Sequence, residues 1–112
     1  MNETVRDKLI EAARNQRVIY YAEVGELLDL FMDNPHHRRE LGRILGEIST
    51  YEHDSGRPLL SVVVVHKENH RPGEGFFNLA KELGKQKADK DDVTFYAKEL
   101  NNVFDWWAVA GQ

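Results

Sequence analysis

The sequence feature that most constrains the fold is Asn34-Pro35, which predicts the start of a long helix. Asparagine is a favoured N-cap, and proline fits the first helical turn because its missing N–H needs no partner there. Apolar residues then recur at helical spacing, at Leu41, Ile44, Leu45, Ile48 and Tyr51. The pattern predicts a helix that buries one face and ends in the turn residues around Gly56.

The other side of this helix is basic. Arg38, Arg39 and Arg43 fall away from the apolar stripe, where they either form a solvated face or contact phosphates. Gly42 and Gly46 each lower the stability of a helix by about 1 kcal/mol relative to alanine. Small residues there would let another backbone approach the helix closely.

A strand and a polar loop are predicted after the helix. The valine run in Leu59–His66 is typical of a strand that is buried on both faces. Residues 67–75 are polar and rich in Gly and Pro, which predicts an exposed loop that carries Lys67, His70 and Arg71.

The order of the segments predicts an α+β fold. Apolar spacing indicates two helices before the basic one, at about 4–15 and 22–30. Helices, a strand and a Gly-containing loop follow one another as in a winged helix-turn-helix, where one helix enters a groove and the loop lies along the backbone. We therefore expect a winged-helix-like core over 18–76, with three helices and a small sheet, and further C-terminal helices. The last of these, over 91–108, is a packing or docking helix.

Composition restricts the chemistry of the chain. Its 112 residues fit a single domain over 1–112, and the lack of cysteine excludes disulfides and thiolate chemistry. The apolar run is too short to cross a bilayer and the start does not resemble a signal peptide, so we expect a cytoplasmic protein without a membrane role. The five histidines lack the spacing of a metal site, and we expect no metal and no cofactor.

Charge is distributed unevenly along the chain. The formal net charge is −4, which opposes general binding to polyanions. Residues 36–90 hold ten Lys and Arg against eight Asp and Glu, whereas the segments on either side are acidic. A nucleic-acid surface would therefore lie in the central part of the chain.

Four segments together resemble one known family. They are Val18-Ile-Tyr-Tyr-Ala-Glu-Val-Gly25, Arg39-Glu-Leu-Gly-Arg-Ile-Leu45, Leu60-Ser-Val-Val-Val-Val65 and Gly73-Glu-Gly-Phe76. They are similar to successive blocks in the DNA-binding half of the O6-alkylguanine DNA alkyltransferases and alkyltransferase-like proteins. The resemblance covers about residues 18–76.

The resemblance implies roles for individual residues. Tyr21 would match the tyrosine that presses on the phosphate beside a flipped base, and Arg39 the arginine that fills the gap in the base stack. Gly42 would match the glycine that lets the helix approach DNA. Ser61 stands where the family has its reactive cysteine, and valines replace the His and Arg that follow it. A serine without a neighbouring base has no evident means of activation, so we expect no alkyl transfer and no enzyme.

These observations predict a non-catalytic DNA-binding protein that uses the helix at 36–51 and the loop at 67–75. The predicted contacts are Tyr21, Arg38, Arg39, Gly42, Arg43, Lys67, His70 and Arg71. The alternative is a protein-interaction module on the same scaffold. In that case Phe95 and Trp106, which fall off the apolar stripe of the last helix, would dock a protein partner, because aromatic residues are favoured at interface hot spots.

Overall fold

A computed structural model describes residues 1–110 of the chain. The elements in chain order are α1 (Glu3–Arg14), β1 (Ile19–Tyr20), α2 (Tyr21–Glu26), α3 (Pro35–Asp54), a 3₁₀ helix (Leu60–Val63), β2 (Val64–Val65), α4 (Glu74–Glu82) and α5 (Asp92–Ala110). The two strands form one small parallel sheet, with Ile19 opposite Val64 and Tyr20 opposite Val65. The structure is therefore rich in α-helix with a small sheet, in agreement with the predicted α+β class.

α3 forms as the sequence predicts. The side chain of Asn34 accepts hydrogen bonds from the His36 and His37 backbone N–H groups, at 2.9 and 3.4 Å. Four of the five residues of the apolar stripe are buried, from Leu41 to Ile48. The fifth, Tyr51, is 45% exposed, so the predicted stripe is one turn too long.

α2 is shorter than the predicted helix over 22–30. It ends at Glu26, and the chain then turns back so that the Leu30 N–H donates to the Gly25 carbonyl at 2.9 Å. A Cβ on Gly25 would lie 2.7 Å from the Leu30 oxygen, so this close approach requires glycine.

The predicted strand Leu59–His66 is wrong over most of its length. Residues from Leu60 to Val63 form a 3₁₀ helix, and β2 contains only two residues. Buried polar side chains accept hydrogen bonds from the backbone of this segment. The Leu59 N–H donates to the Glu99 carboxylate at 2.8 Å and the Ser61 N–H to the Ser49 hydroxyl at 3.0 Å. Because side chains satisfy these two backbone N–H groups, they do not require hydrogen bonds to a neighbouring strand. The predicted burial of the valine run is confirmed.

One apolar core draws residues from every helix, including α1 and α5. These two helices pack against each other, and both pack on the 3₁₀ helix. The segment 18–76 therefore shares its core with the segments on either side of it.

α5 begins as predicted, and its buried face overlaps the predicted apolar stripe but also includes Phe95. The Asp91 carboxylate caps it by accepting the Thr94 backbone N–H at 2.7 Å. Phe95 is only 9% exposed and its ring lies 6.1 Å from that of Phe76, so the predicted docking role of Phe95 is wrong. Trp106 is 39% exposed.

Among residues 1–110, no helix combines the length and the apolar character needed to cross a membrane.

Candidate nucleic-acid interface

A cavity of about 650 Å³ opens between the first half of α3 and the segment that leads from β2 into α4. Arg38, Gly42 and Gly46 of α3 line one side. Tyr21 and Ser61 also line the cavity, and α4 closes it from another side. Residues far apart in the sequence are thus brought together around one space.

Tyr21 connects the start of α2 to the opposite loop. Its hydroxyl accepts the Gly73 backbone N–H at 2.7 Å, and its ring packs on the His66 imidazole with 4.5 Å between the ring centres. Burial raises the pKa of the Tyr21 phenol above its ordinary value, although the hydrogen bond from Gly73 acts in the opposite direction. Tyr21 is therefore a neutral residue that fixes the loop and lines the cavity.

Arg38 and Arg39 direct their guanidinium groups to neutral acceptors. An Arg38 nitrogen donates to the Met32 carbonyl at 2.8 Å, and Arg39 Nη2 lies 2.7 Å from His36 Nδ1. Both side chains are exposed at the start of α3. Because these partners carry no negative charge, both arginines keep their charge available to an anion.

Arg43 differs from the other two arginines. It forms two hydrogen bonds with the Glu40 carboxylate, each 2.9 Å long. The hydrogen bond from Arg43 lowers the pKa of Glu40, and the same bond raises the pKa of Arg43. Its charge is thereby compensated, so Arg43 is a weaker candidate contact than Arg38 or Arg39.

Gly42 presents bare backbone to its surroundings. A Cβ built at Gly42 would have no neighbour within 4 Å, whereas one at Gly46 would meet the Leu79 side chain at 3.9 Å. The space over Gly42 is therefore open to a molecule that approaches from outside.

The predicted loop is confirmed over 67–73, but its last two residues belong to α4. The His66 N–H donates to the Arg71 carbonyl and the His70 N–H to the His66 carbonyl, both at 2.8 Å. His70 adopts a left-handed φ of +54°, and its Nε2 lies 3.3 Å from the Tyr20 hydroxyl. Lys67, His70 and Arg71 are all exposed, so the loop is a closed turn with cationic and titratable side chains outward.

Ser61 lies at the cavity wall, where the 3₁₀ helix places it. Its Oγ is 2.6 Å from the Ser49 Oγ, and it is 5% exposed. The hydroxyl of Ser49 is a poor proton acceptor compared with an imidazole or carboxylate, so this contact does not activate Ser61 as a nucleophile.

Among residues 1–110, no three His, Asp or Glu side chains are grouped so that they would hold a metal ion.

α4 also contributes to the cavity wall, a contribution that the sequence did not predict. Asn78, Leu79 and Glu82 line the cavity, and so does His66 at the end of β2. The buried face of α4 consists of Phe76, Phe77 and Ala80, which pack into the core. Asn78 and Leu79 lie four and three residues before Glu82, and this helical spacing was the available sign that the three residues share a second face.

A second, more open depression lies beside Trp106. It is lined by His53 and Arg57 at the end of α3, by Lys85, and by Asp105 and Trp106 of α5. Lys85 is 3.4 Å from the buried Glu99 carboxylate, and Arg57 is paired with Glu52. The cations at this depression therefore pair with buried carboxylates and stabilise the fold, in addition to lining the surface.

No protein-family model, curated protein or solved structure gives a significant match to this chain.

Proposed function

We propose that the protein is a non-catalytic DNA-binding protein of winged-helix type, which binds through the first half of α3 and the loop 67–73. The observation that carries the proposal is the shared cavity. Tyr21, Arg38, Gly42 and Ser61 lie in three of the segments that resemble the alkyltransferase family or directly beside one, and all four line the same space. Their convergence is what a common binding surface requires.

The size and lining of the cavity fit a nucleobase turned out of the stack. Small-molecule sites have volumes of about 300–1,000 Å³ and combine apolar walls with a few polar groups. Here Leu45 and Phe76 supply apolar wall, while Ser61 and Asn78 supply hydrogen-bonding groups. Proteins that read an extruded base use the same combination of hydrogen bonds and packing against the base.

Electrostatics favour an approach from the α3 side. Arg38 and Arg39 carry uncompensated charge there, and Lys67 and Arg71 lie on the loop. The cavity itself also has acidic residues, Glu68 and Glu82. We therefore expect a small number of phosphate contacts and binding in the range of non-specific complexes, with a Kd of about 10⁻⁵ M.

Fluorescence anisotropy with a labelled duplex at low salt tests the proposal. Binding should weaken as salt increases, and Arg39→Ala should reduce the slope of log K against log salt by about 0.9, the loss of one phosphate contact. Lys98→Ala is the matched control, because Lys98 is an exposed cation on α5. A duplex with 2-aminopurine at a mismatch should gain fluorescence if a base leaves the stack.

Two results would contradict the proposal. One is the absence of any anisotropy change at low salt with tens of micromolar protein. The other is an equal loss of binding in Arg39→Ala and Lys98→Ala, which would indicate general charge attraction and not a surface on α3.

A second candidate function rests on Trp106. A tryptophan that is 39% exposed, beside an open depression, is a typical anchor for a protein partner. A partner that is lost in Trp106→Ala and retained in Arg39→Ala would support this function. The opposite pattern in a pull-down would reject it.

A further inference from the structure

Phe31 is the most exposed large apolar side chain among residues 1–108, at 63%. It lies in the turn between α2 and α3, three residues before the cap of α3. The next residue, Met32, lines the cavity described above. The aromatic ring is therefore presented to solvent close to the rim of the proposed DNA site.

The turn that carries Phe31 is fixed to the start of α3. The Phe31 N–H donates to His37 Nδ1 at 2.8 Å, and its carbonyl accepts the Asn34 N–H at 3.0 Å. Arg38 holds the adjoining Met32 carbonyl at 2.8 Å. The Phe31 ring also rests on the His37 ring, with 5.7 Å between their centres. An exposed aromatic on such a fixed turn is preorganised for contact, because little freedom is left to lose on binding.

Charge around the turn indicates the kind of contact. Asp29 and Asp33 are exposed in the same turn, so the turn itself would repel phosphates. Arg38 and Arg39 follow on α3 and carry the available positive charge. A nucleic acid held by those arginines would bring a base, not a phosphate, to the ring.

We propose that Phe31 is a base-stacking residue, which packs its exposed ring against a nucleobase beside the cavity. The inference rests on the proposed function, since it requires that DNA bind to α3. Apolar side chains of this kind stack on bases or wedge between base steps in many DNA complexes.

The experiment compares wild type, Phe31→Ala, Phe31→Trp and Leu27→Ala in the same anisotropy titration. Leu27 is a suitable control because it is 44% exposed and precedes the same turn. Loss of one base stack is expected to weaken binding on the order of tenfold in Phe31→Ala. The salt slope should stay unchanged, because no charge is removed. Phe31→Trp should bind as well as wild type, and all variants should melt like wild type.

The outcomes separate the inference from the function on which it rests. If Phe31→Ala binds like wild type while Arg39→Ala is weakened, DNA binding stands and the stacking role is overturned. Equal losses in Phe31→Ala and Leu27→Ala, or no rescue in Phe31→Trp, also overturn it. If wild type does not bind DNA, both the function and the stacking role are rejected.

Discussion

The two halves of α3 are built differently. In the second half, Glu52 is fully buried between Arg6 and Arg57, and Ser49 is bonded to Ser61. In the first half, the arginines are exposed and Gly42 has open space above it. One continuous helix therefore has a polar end that is enclosed by the protein and a polar end that is left open.

The difference separates residues for stability from residues for binding. Buried charges need partners, and those of Glu52 come from α1 and from the turn after α3. In the first half, Arg38 and Arg39 bond only to neutral groups at the surface, and a Cβ on Gly42 would have no neighbour within 4 Å. We infer that substitutions in the second half change folding, whereas those in the first half change binding.

Replacing Glu52 by Gln should destabilise the protein most. The substitution removes the buried carboxylate that pairs with both Arg6 and Arg57, and Arg6 Nε lies 2.7 Å from this carboxylate. The hydrogen bond to Glu52 raises the pKa of Arg6 in wild type. The arginine stays charged even when this partner is lost, because the guanidinium group is protonated throughout the ordinary pH range. Breaking a buried pair costs about 3–5 kcal/mol, and we expect about 3 because both arginines are partly exposed. Urea unfolding measures the loss, and an unchanged midpoint would contradict the division.

Ser49→Ala should have the next largest effect. The Ser49 hydroxyl accepts the buried Ser61 N–H at 3.0 Å and is bonded to the Ser61 hydroxyl. Leaving such groups unpaired costs about 2 kcal/mol. Ser61→Ala is the control and should cost less, because Ser49 would still accept the backbone N–H of position 61. Equal losses in urea unfolding would show that the N–H bond contributes little.

The same division explains which parts of the structure could be predicted from the sequence. Local signals were sufficient for the start of α3 at Asn34-Pro35, its buried stripe and the glycine turn that follows it. The 3₁₀ helix could not be predicted, because it depends on hydrogen bonds that its backbone N–H groups donate to Ser49 and Glu99, which are distant in sequence. The burial of Phe95 likewise depends on where α4 places Phe76.

The candidate site was predictable only in part. Arg38, Arg39 and Gly42 follow from helical spacing, and the resemblance pointed to Tyr21 and Ser61. The pairing of Arg43 with Glu40 was readable from their spacing of three residues but was not recognised. The cavity wall from α4 and the exposed Phe31 arise from tertiary packing, which one sequence does not reveal.

Tyr21→Phe should have a moderate effect on stability and a clear effect on the loop. It removes the acceptor of the Gly73 N–H, a loss of about 1 kcal/mol. Hydrogen exchange at the Gly73 amide should therefore be faster than in wild type. Exchange at the His66 amide should change less, because this N–H still donates to the Arg71 carbonyl in the variant. Unchanged exchange at Gly73 would show that the phenol does not fix the loop.

Tyr21 also gives a pH dependence with a definite sign. Its pKa is raised in the folded protein, so its contribution to stability is complete below about pH 10, the ordinary value, and is lost as the pH rises through the folded pKa. Wild type should therefore lose more stability than Tyr21→Phe above about pH 10. Parallel losses in the two proteins would contradict a raised pKa.

Gly42→Ala should change stability and binding in opposite directions. The added methyl group meets nothing within 4 Å, and alanine favours a helix over glycine by up to about 1 kcal/mol. The protein should therefore melt at a higher temperature, while DNA affinity falls because the methyl group occupies the approach to α3. Asn101→Ala is the control, because it replaces an exposed residue of α5, away from the cavity, by a better helix former, and it should leave DNA affinity unchanged. Unchanged DNA affinity in Gly42→Ala would place the contact elsewhere.

Glu40→Gln should have the smallest effect on folding and still change binding. Glu40 and Arg43 are both exposed, and such pairs add little to stability, so the urea midpoint should stay at the wild-type value. Releasing Arg43 from its partner gives the first half of α3 a third uncompensated cation. DNA binding should then tighten, and the salt slope should increase by about one if Arg43 reaches a phosphate. If affinity stays constant while the charge of α3 rises, Arg43 points away from the DNA, and the binding surface is limited to Arg38, Arg39 and the open backbone at Gly42.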